Sequence, residues 1–172
     1  MLQSEVNSNI LLRAARKEDV EILYNAINDP RIVKYNSAYK PIHEESHVKW
    51  FEKLSTDKTK NFFVIEFDKT VVGSIQLIDI HPIHRSAEIT IRLFAKKNFG
   101  KGIGSEAIRL LSLHAFNNLN LRRIWLQVFK DNLRAIGCYK KNHFIEEGVL
   151  REAAFIDGVF KDMVILSRIR DD

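Results

Sequence analysis

The sequence predicts an α/β fold: a mixed, mostly antiparallel central sheet of about seven strands flanked by about four helices. Three observations lead there. A chain of 172 residues has room for one sizeable core and little more, so residues 1–172 read as a single domain. The apolar pattern starts at helical spacing, turns to strand-like alternation over residues 61–94, and then interleaves the two. No self-similarity recurs at a period of about 20–50 residues, which excludes a repeat array.

The elements follow in order. ILLRAAR (10–16) reads as a first strand, and Lys17-Glu18-Asp19 opens an amphipathic helix carrying Val20, Ile22, Leu23, Ala26 and Ile27, ended by Pro30. Residues 31–43 read as a loop. EESHVKWFEKLS (44–55) reads as a second helix, with Val48, Phe51 and Leu54 on one face and two glutamates in the first turn, where the helix dipole favours them. NFFVIEF (61–67), an Asp68-Lys69 turn and TVVGSIQLIDI (70–80) make an antiparallel hairpin rich in β-branched and aromatic residues. After a His81-Pro82 loop, SAEITIRLF (86–94) alternates as a further strand. Residues 103–117 form the clearest helix, with Ile108, Leu110, Leu111 and Ala115 as its apolar face. LRRIWLQVF (121–129) is a strand, DNLRAIGCYKKN (131–142) a short helix and HFIEEG a strand. Asp157-Gly158 turns a last hairpin between a segment ending near Phe155 and FKDMVILSRI.

Composition narrows the function. The net charge is +5, from 27 basic and 22 acidic residues, and the basic residues are scattered, which argues against a nucleic-acid-binding arm. Cys138 is the only cysteine, so neither an intramolecular disulfide nor a thiolate metal cluster can form. The start lacks a signal-peptide pattern and nothing approaches about 18 consecutive apolar residues, so no membrane segment is expected and a cytoplasmic location is.

One stretch stands out. KKNFGKGIGSEA (96–107) places Gly100, Gly102 and Gly104 between a strand and a helix. Unpaired amides and the positive end of a helix dipole make such a turn an anion site, and glycine lets the backbone come close to a phosphate. The P-loop pattern is absent, since no Gly-Lys-Ser or Gly-Lys-Thr occurs. The dinucleotide fingerprint fails at Ser105, where it needs glycine, and would sit late in the chain. A bare tight turn packing helix on sheet is the bland alternative. Thirty residues on comes DNLRAIGCYKKNHF, with Asn132, Ala135, Tyr139 and Lys141 along one short helix.

Taken together, the two stretches resemble the GCN5-related N-acetyltransferase (GNAT) superfamily. Its signature is [QR]-x-x-G-x-[GA] at the strand-to-helix turn and N-x-x-A-x-x-x-Y-x-K-x-G-F on the next helix. Phe99 through Gly104 match the first motif and Asn132 through Phe144 the second, with Phe99 in place of Gln or Arg and His143 in place of the glycine. The closing EEGVLREAAFIDGVFKDMVILS resembles the branch of ribosomal-protein N-terminal, spermidine and amino-sugar acetyltransferases. The resemblance implies a splayed pair of parallel strands, 86–94 and 121–129, and acetyl-CoA as co-substrate with no metal. Its pyrophosphate would lie on the amides of Phe99, Gly100, Lys101, Gly102, Ile103, Gly104 and Ser105, with Lys101 adding charge. Backbone of Leu93 and Phe94 would pair with the pantetheine, and Asn132, Ala135 and Lys141 would complete the cofactor side. Gly102 and Gly104 are the positions where substitution should do most damage.

The resemblance also makes Tyr139 the general acid for the departing thiolate, against a purely packing role. Glu88 is the candidate base, directly or through water, against merely binding the cationic amine or pairing with Arg85 or Arg92. His81 and His84 sit in an exposed loop. His43 and His47 have metal-compatible spacing but no third ligand, and a lone helical Cys138 reads as a small core residue. Tyr35, Tyr39 and Trp50, with Phe51, would shape the acceptor pocket. The expected activity is direct acetyl transfer, through a ternary complex, to a primary amine of a small molecule or peptide N-terminus. The alternatives are a nucleotide-linked amino-sugar acceptor, or a CoA-binding regulatory module without turnover. No nucleic-acid or membrane partner is expected, and exposed sheet edges suit a homodimer.

Overall fold

The computed structural model describes residues 1–4, 9–33 and 40–170. In chain order the elements are β1 (Leu2–Gln3), β2 (Ile10–Arg13), α1 (Val20–Asn28), α2 (Pro30–Val33), α3 (Glu44–Lys53), β3 (Asn61–Phe67), β4 (Thr70–His81) and β5 (Ser86–Leu93). They continue as α4 (Ile103–Leu113), β6 (Arg123–Phe129), α5 (Leu133–Lys141), β7 (Ile145–Ile156) and β8 (Val159–Ile169). Among the described residues the strands form one sheet, ordered β1-β2-β3-β4-β5-β6-β8-β7. Every neighbouring pair is antiparallel except β5 and β6.

The sheet has eight strands rather than about seven. The extra one, β1, is two residues long and carries no periodicity to read. α1 ends at Asn28, with Asp29 extended ahead of Pro30 as expected, but Pro30 does not lead straight into a loop. It opens α2, because proline fits the first turn, where its missing N–H would have no partner anyway. HFIEEG and the segment ending near Phe155 are one strand, β7, broken by register shifts between Glu146 and Gly148 and between Leu150 and Ala154. The second shift is pinned by the Glu152 amide donating to Asp162 Oδ1 at 3.0 Å.

Side chains of alternate residues set the two faces. Phe63, Ile75, Ala87, Ile89 and Ile124 turn to a core covered by α4, whose Ile103, Ile108 and Leu111 are fully buried against it. α5 joins α4 on that side, tied by Asn142 Nδ2 donating to Ser105 Oγ at 2.8 Å. α1 and α3 pack on each other and cover the opposite face, where Trp50 meets Phe62 edge-on at 5.2 Å. No helix among the described residues is long and apolar enough to cross a membrane.

The feature that positions a site lies between β5 and β6. They pair only at Ser86↔Arg123, Ala87↔Ile124 and Glu88↔Trp125. Beyond those rungs β5 stays on β4 as far as Leu93 and β6 stays on β8 as far as Phe129, so the two inner edges diverge and no strand of the described residues pairs with either. Unpaired main-chain groups that deep in a sheet are costly unless something bonds to them.

Candidate active site

A cleft of about 910 Å³ runs through this divergence. Its walls are β5 from Glu88 to Leu93, the end of β6, the glycine turn, the first turns of α5 with Tyr139, and the bulged part of β7 at Ala153–Phe155. Arg31 and Ile32 of α2 close it on the other side of the sheet.

The glycine turn is built as the sequence suggests, with one change of emphasis. Gly100 and Gly102 have φ of +75° and +78°, the left-handed region where a side chain is strained, and Gly102 is the N-cap of α4 with no side chain capping it. The first amides of α4 therefore face the cleft unshielded, and the helix dipole adds positive potential. Gly104 is already helical. A Cβ there would meet Leu93 Cδ1 at 3.7 Å and Ile91 Cδ1 at 3.9 Å, ordinary contact distances. Backbone strain on substitution is accordingly expected at Gly100 and Gly102, and none at Gly104. Lys101 is exposed and does not line the cleft, whereas Ser105 and Ile103 do.

Phe99 holds something the motif did not indicate. The guanidinium of Arg134 lies 3.7 Å from the centroid of its ring, placing an extra cation beside the glycine turn. In the sequence the only signal for Arg134 is a basic residue two positions after Asn132. Asn132 is the N-cap of α5, its Oδ1 accepting from the Ala135 amide at 3.3 Å, which gives the asparagine of the motif a structural reason. Lys141 ends the same helix and lines the cleft.

Hydrogen-bonding direction alternates along an antiparallel ladder. The Phe94 amide donates to Val72 O at 2.9 Å, so its N–H is spent on the β4 side. By alternation Ile89, Ile91 and Leu93 turn their main-chain groups toward the gap. Leu93 lines the cleft; Phe94 does not.

Tyr139 is buried, tilted against Phe144 at 6.0 Å, yet its ring borders the cleft. Burial, with the Cys138 charge second, pushes its phenol above the ordinary value, so it stays protonated at every working pH. Cys138 is half-buried among core residues, and burial raises its thiol too, which leaves it a poor nucleophile.

Glu88 points to the face opposite α4, on the side of Thr90, which accepts from Gln76 Nε2 at 3.0 Å. Burial, with Asp79's charge second, raises its carboxyl above the ordinary carboxylate range. Neither arginine suggested as its partner pairs with it. Arg85 donates to Asn120 O at 2.7 Å and Asn120 Oδ1 at 2.6 Å, and Arg92 makes no ion pair among the described residues.

The remaining candidates fall elsewhere. Trp50 packs between His47 and Phe62 and does not line the cleft. Tyr35 and Tyr39 lie outside the described residues. His47 is buried with Nε2 3.1 Å from Val20 O, His43 is exposed, and no third metal-ligating side chain joins them among the described residues. His81 and His84 stack on each other at 4.1 Å, exposed in their loop.

Comparison with known proteins agrees with this geometry. The model for the acetyltransferase (GNAT) domain family matches residues 9–145. The spermidine N(1)-acetyltransferase of Vibrio cholerae serotype O1 is 34% identical over 161 residues, 92% of this chain and 91% of that one. The crystal structure of the spermidine N-acetyltransferase from Vibrio cholerae in complex with CoA and spermine superimposes with a TM-score of 0.87 at 32% identity, covering 95% of this chain and 96% of that one. A dodecameric structure of that enzyme gives 0.83 at 31% identity, covering 95% of each chain. The chain belongs to the GNAT family and is an N-acetyltransferase.

Proposed function

We propose that this GNAT protein transfers the acetyl group of acetyl-CoA directly to a primary amine, in a ternary complex, with the two substrates meeting in the gap between β5 and β6. The observation that carries the reading is that gap: two unpaired strand edges, an uncapped helix N-terminus at one end, and a buried phenol on the wall. A CoA-bound relative of nearly the same fold supports it.

Each part then has a task. The amides from Gly100 to Ser105 receive the pyrophosphate, with Arg134 beside them. The gap-facing backbone of Leu93 and Ile91 pairs with the pantetheine, and an amide of that edge polarises the thioester carbonyl. Thr90 and Glu88 face the acceptor. A water held by Glu88 takes the proton from the ammonium, the neutral amine attacks the carbonyl carbon, the carbon–sulfur bond breaks, and Tyr139 gives its proton to the departing sulfur. The raised Glu88 carboxyl is the better base for it, closer to neutral pH. Desolvation that weakens Tyr139 as an acid equally destabilises the thiolate formed beside it, so donor and acceptor stay matched.

Assembly with further copies of the chain is part of the reading. β7 is an outer strand of the sheet, it and β8 expose Val149, Leu150, Phe155 and Phe160, and a relative is dodecameric.

Thermal melting with acetyl-CoA, NADH and ATP in parallel tests the ligand. Acetyl-CoA at about 100 times its Kd should add about 2.7 kcal/mol, several degrees, and the others little. Amine-dependent release of the CoA thiol separates an enzyme from a binding module; a melt shift without thiol release would leave only the module.

A further inference from the structure

Arg92 is an anomaly on the acceptor face. It sits on β5, four residues after Glu88, and the alternation that turns Ile91 and Leu93 toward α4 turns Glu88, Thr90 and Arg92 the other way. Its Nε is buried with no hydrogen-bond partner, and no carboxylate pairs with it among the described residues. Arg31, the other guanidinium on that side of the cleft, is held by Asp29 through contacts of 2.7–3.2 Å. Burial alone pushes the Arg92 pKa down from its ordinary value, but a guanidinium does not give up its proton in a protein. A half-buried cation without a counter-charge is unfavourably placed, and the fork geometry of arginine suits a carboxylate or phosphate.

The CoA phosphates are not that anion. Gly104 approaches Leu93 and Ile91, so the glycine turn lies on the α4 face, and Arg92 projects from the opposite face of the same strand. Residues Glu88, Thr90 and Arg92 all border the cleft where the amine must enter. The row therefore offers a negative group, a hydroxyl and a positive group in sequence, complementary to a molecule with an ammonium at one end and an oxyanion at the other.

We propose that Arg92 receives an oxyanion of the acceptor, so that the preferred acceptor is an amine that also carries a carboxylate or phosphate rather than an all-cationic polyamine. This rests on the acetyl-transfer reading above and gives its acceptor a chemical class. Arg92 is a specificity-determining residue and takes no part in proton transfer.

Matched acceptors test it with the full-length protein and acetyl-CoA. An amino acid is compared with its amide, glucosamine 6-phosphate with glucosamine, and spermidine is run alongside. The anionic member of at least one pair should have kcat/KM about 10- to 100-fold above its neutral twin and above spermidine, carried by acceptor KM. The responding pair tells carboxylate from phosphate. Arg92→Met should bring that ratio to about one with the KM for acetyl-CoA unmoved, and Arg92→Lys should keep part of it. Equal rates within both pairs, spermidine as the preferred acceptor, or a ratio that survives Arg92→Met overturns the proposal. Acetyl-CoA binding with no panel member acetylated overturns it too. If acetyl-CoA neither binds nor shifts the melt, the acetyl-transfer reading itself falls.

Discussion

Two arginines stand in one rung of the sheet. Arg13 on β2 pairs with Val64, Val64 with Ser74, and Ser74 with Arg92 on β5, so both side chains leave the same face three strands apart. Their surroundings are opposite. Arg13 is buried and saturated: Nη1 and Nη2 reach Asp19 at 2.7 and 3.0 Å, and Nε reaches Glu66 at 2.7 Å. Arg92 has a buried Nε with no hydrogen-bond partner among the described residues. The acids differ in the same sense. Burial alone would raise Asp19, but the Arg13 bonds and the Arg16 amide overcome it and hold the carboxyl below its ordinary value; Glu88 has burial without compensation and is raised. The fold satisfies one arginine of the rung fully and leaves the other, half-buried and four residues along β5 from a raised carboxylate, open to the ligand proposed above.

The largest effect expected is at the saturated end. Asp19→Ala leaves Arg13 buried with Glu66 as its remaining carboxylate, beside the Ala14 carbonyl, and should cost about 3 kcal/mol in urea unfolding, the lower end of what breaking a buried pair costs. Arg92→Met, in the same rung, removes an uncompensated charge and should leave stability unchanged or raise it by about 1 kcal/mol. Equal losses at the two positions would erase the distinction. Acid titration carries the same contrast. Because Asp19 is depressed in the folded state, its contribution is complete above the unfolded carboxylate pKa and disappears as pH falls through the folded one.

Next in size is Tyr139→Phe, which should lower kcat on the order of a hundredfold, about 2.7 kcal/mol, with acetyl-CoA affinity kept. An unchanged kcat would return Tyr139 to the scaffold. Glu88→Gln should slow turnover and remove the acidic limb of the pH profile. It should also stabilise the protein at neutral pH. A raised carboxyl holds its proton in the folded state where the unfolded chain loses it, so stability falls as pH rises between the unfolded and folded values, and the glutamine escapes that loss. Loss of stability in Glu88→Gln would place Glu88 with Asp19.

How much of this was legible follows from what is local. The glycine turn and the Asn132 to Tyr139 helix are short patterns whose backbone demands a few residue types satisfy, so their order and spacing carried family and fold and singled out Tyr139 as the acid proposed above. Alternation gave the strands that frame the gap. The open Nε of Arg92 was not legible, because the absence of a partner depends on which side chains, such as Arg31 and Ile32 of α2, the fold brings to the same cleft. Glu88 could be named but not separated from pairing with Arg85 until Asn120 was seen to hold that arginine. The bulge that turns Ala153–Phe155 into the cleft depends on a register set by Asp162 across the hairpin, and the gap-facing parity of Ile91 over Phe94 depends on a bond to Val72.

The smallest prediction concerns His143, which stands where the family pattern has glycine. It follows α5 with φ of +64°, inside the left-handed region. Its amide donates to Lys140 O at 3.1 Å and the next amide, of Phe144, to Tyr139 O at 3.1 Å, so the helix ends by turning back on its own carbonyls, a closure that glycine adopts without strain. His143→Gly relieves that strain, about 1 kcal/mol, and should raise Tm by about 3 °C. The side chain is exposed and outside the cleft, so kcat should not move. A gain in Tm with kcat unchanged would show that the turn carrying Tyr139 is scaffold like the Arg13 cluster, improvable without touching the site. A fall in kcat would mean that the pitch of α5, and with it the aim of the phenol, is set by the strained residue, and the line between scaffold and site would have to be drawn one turn later.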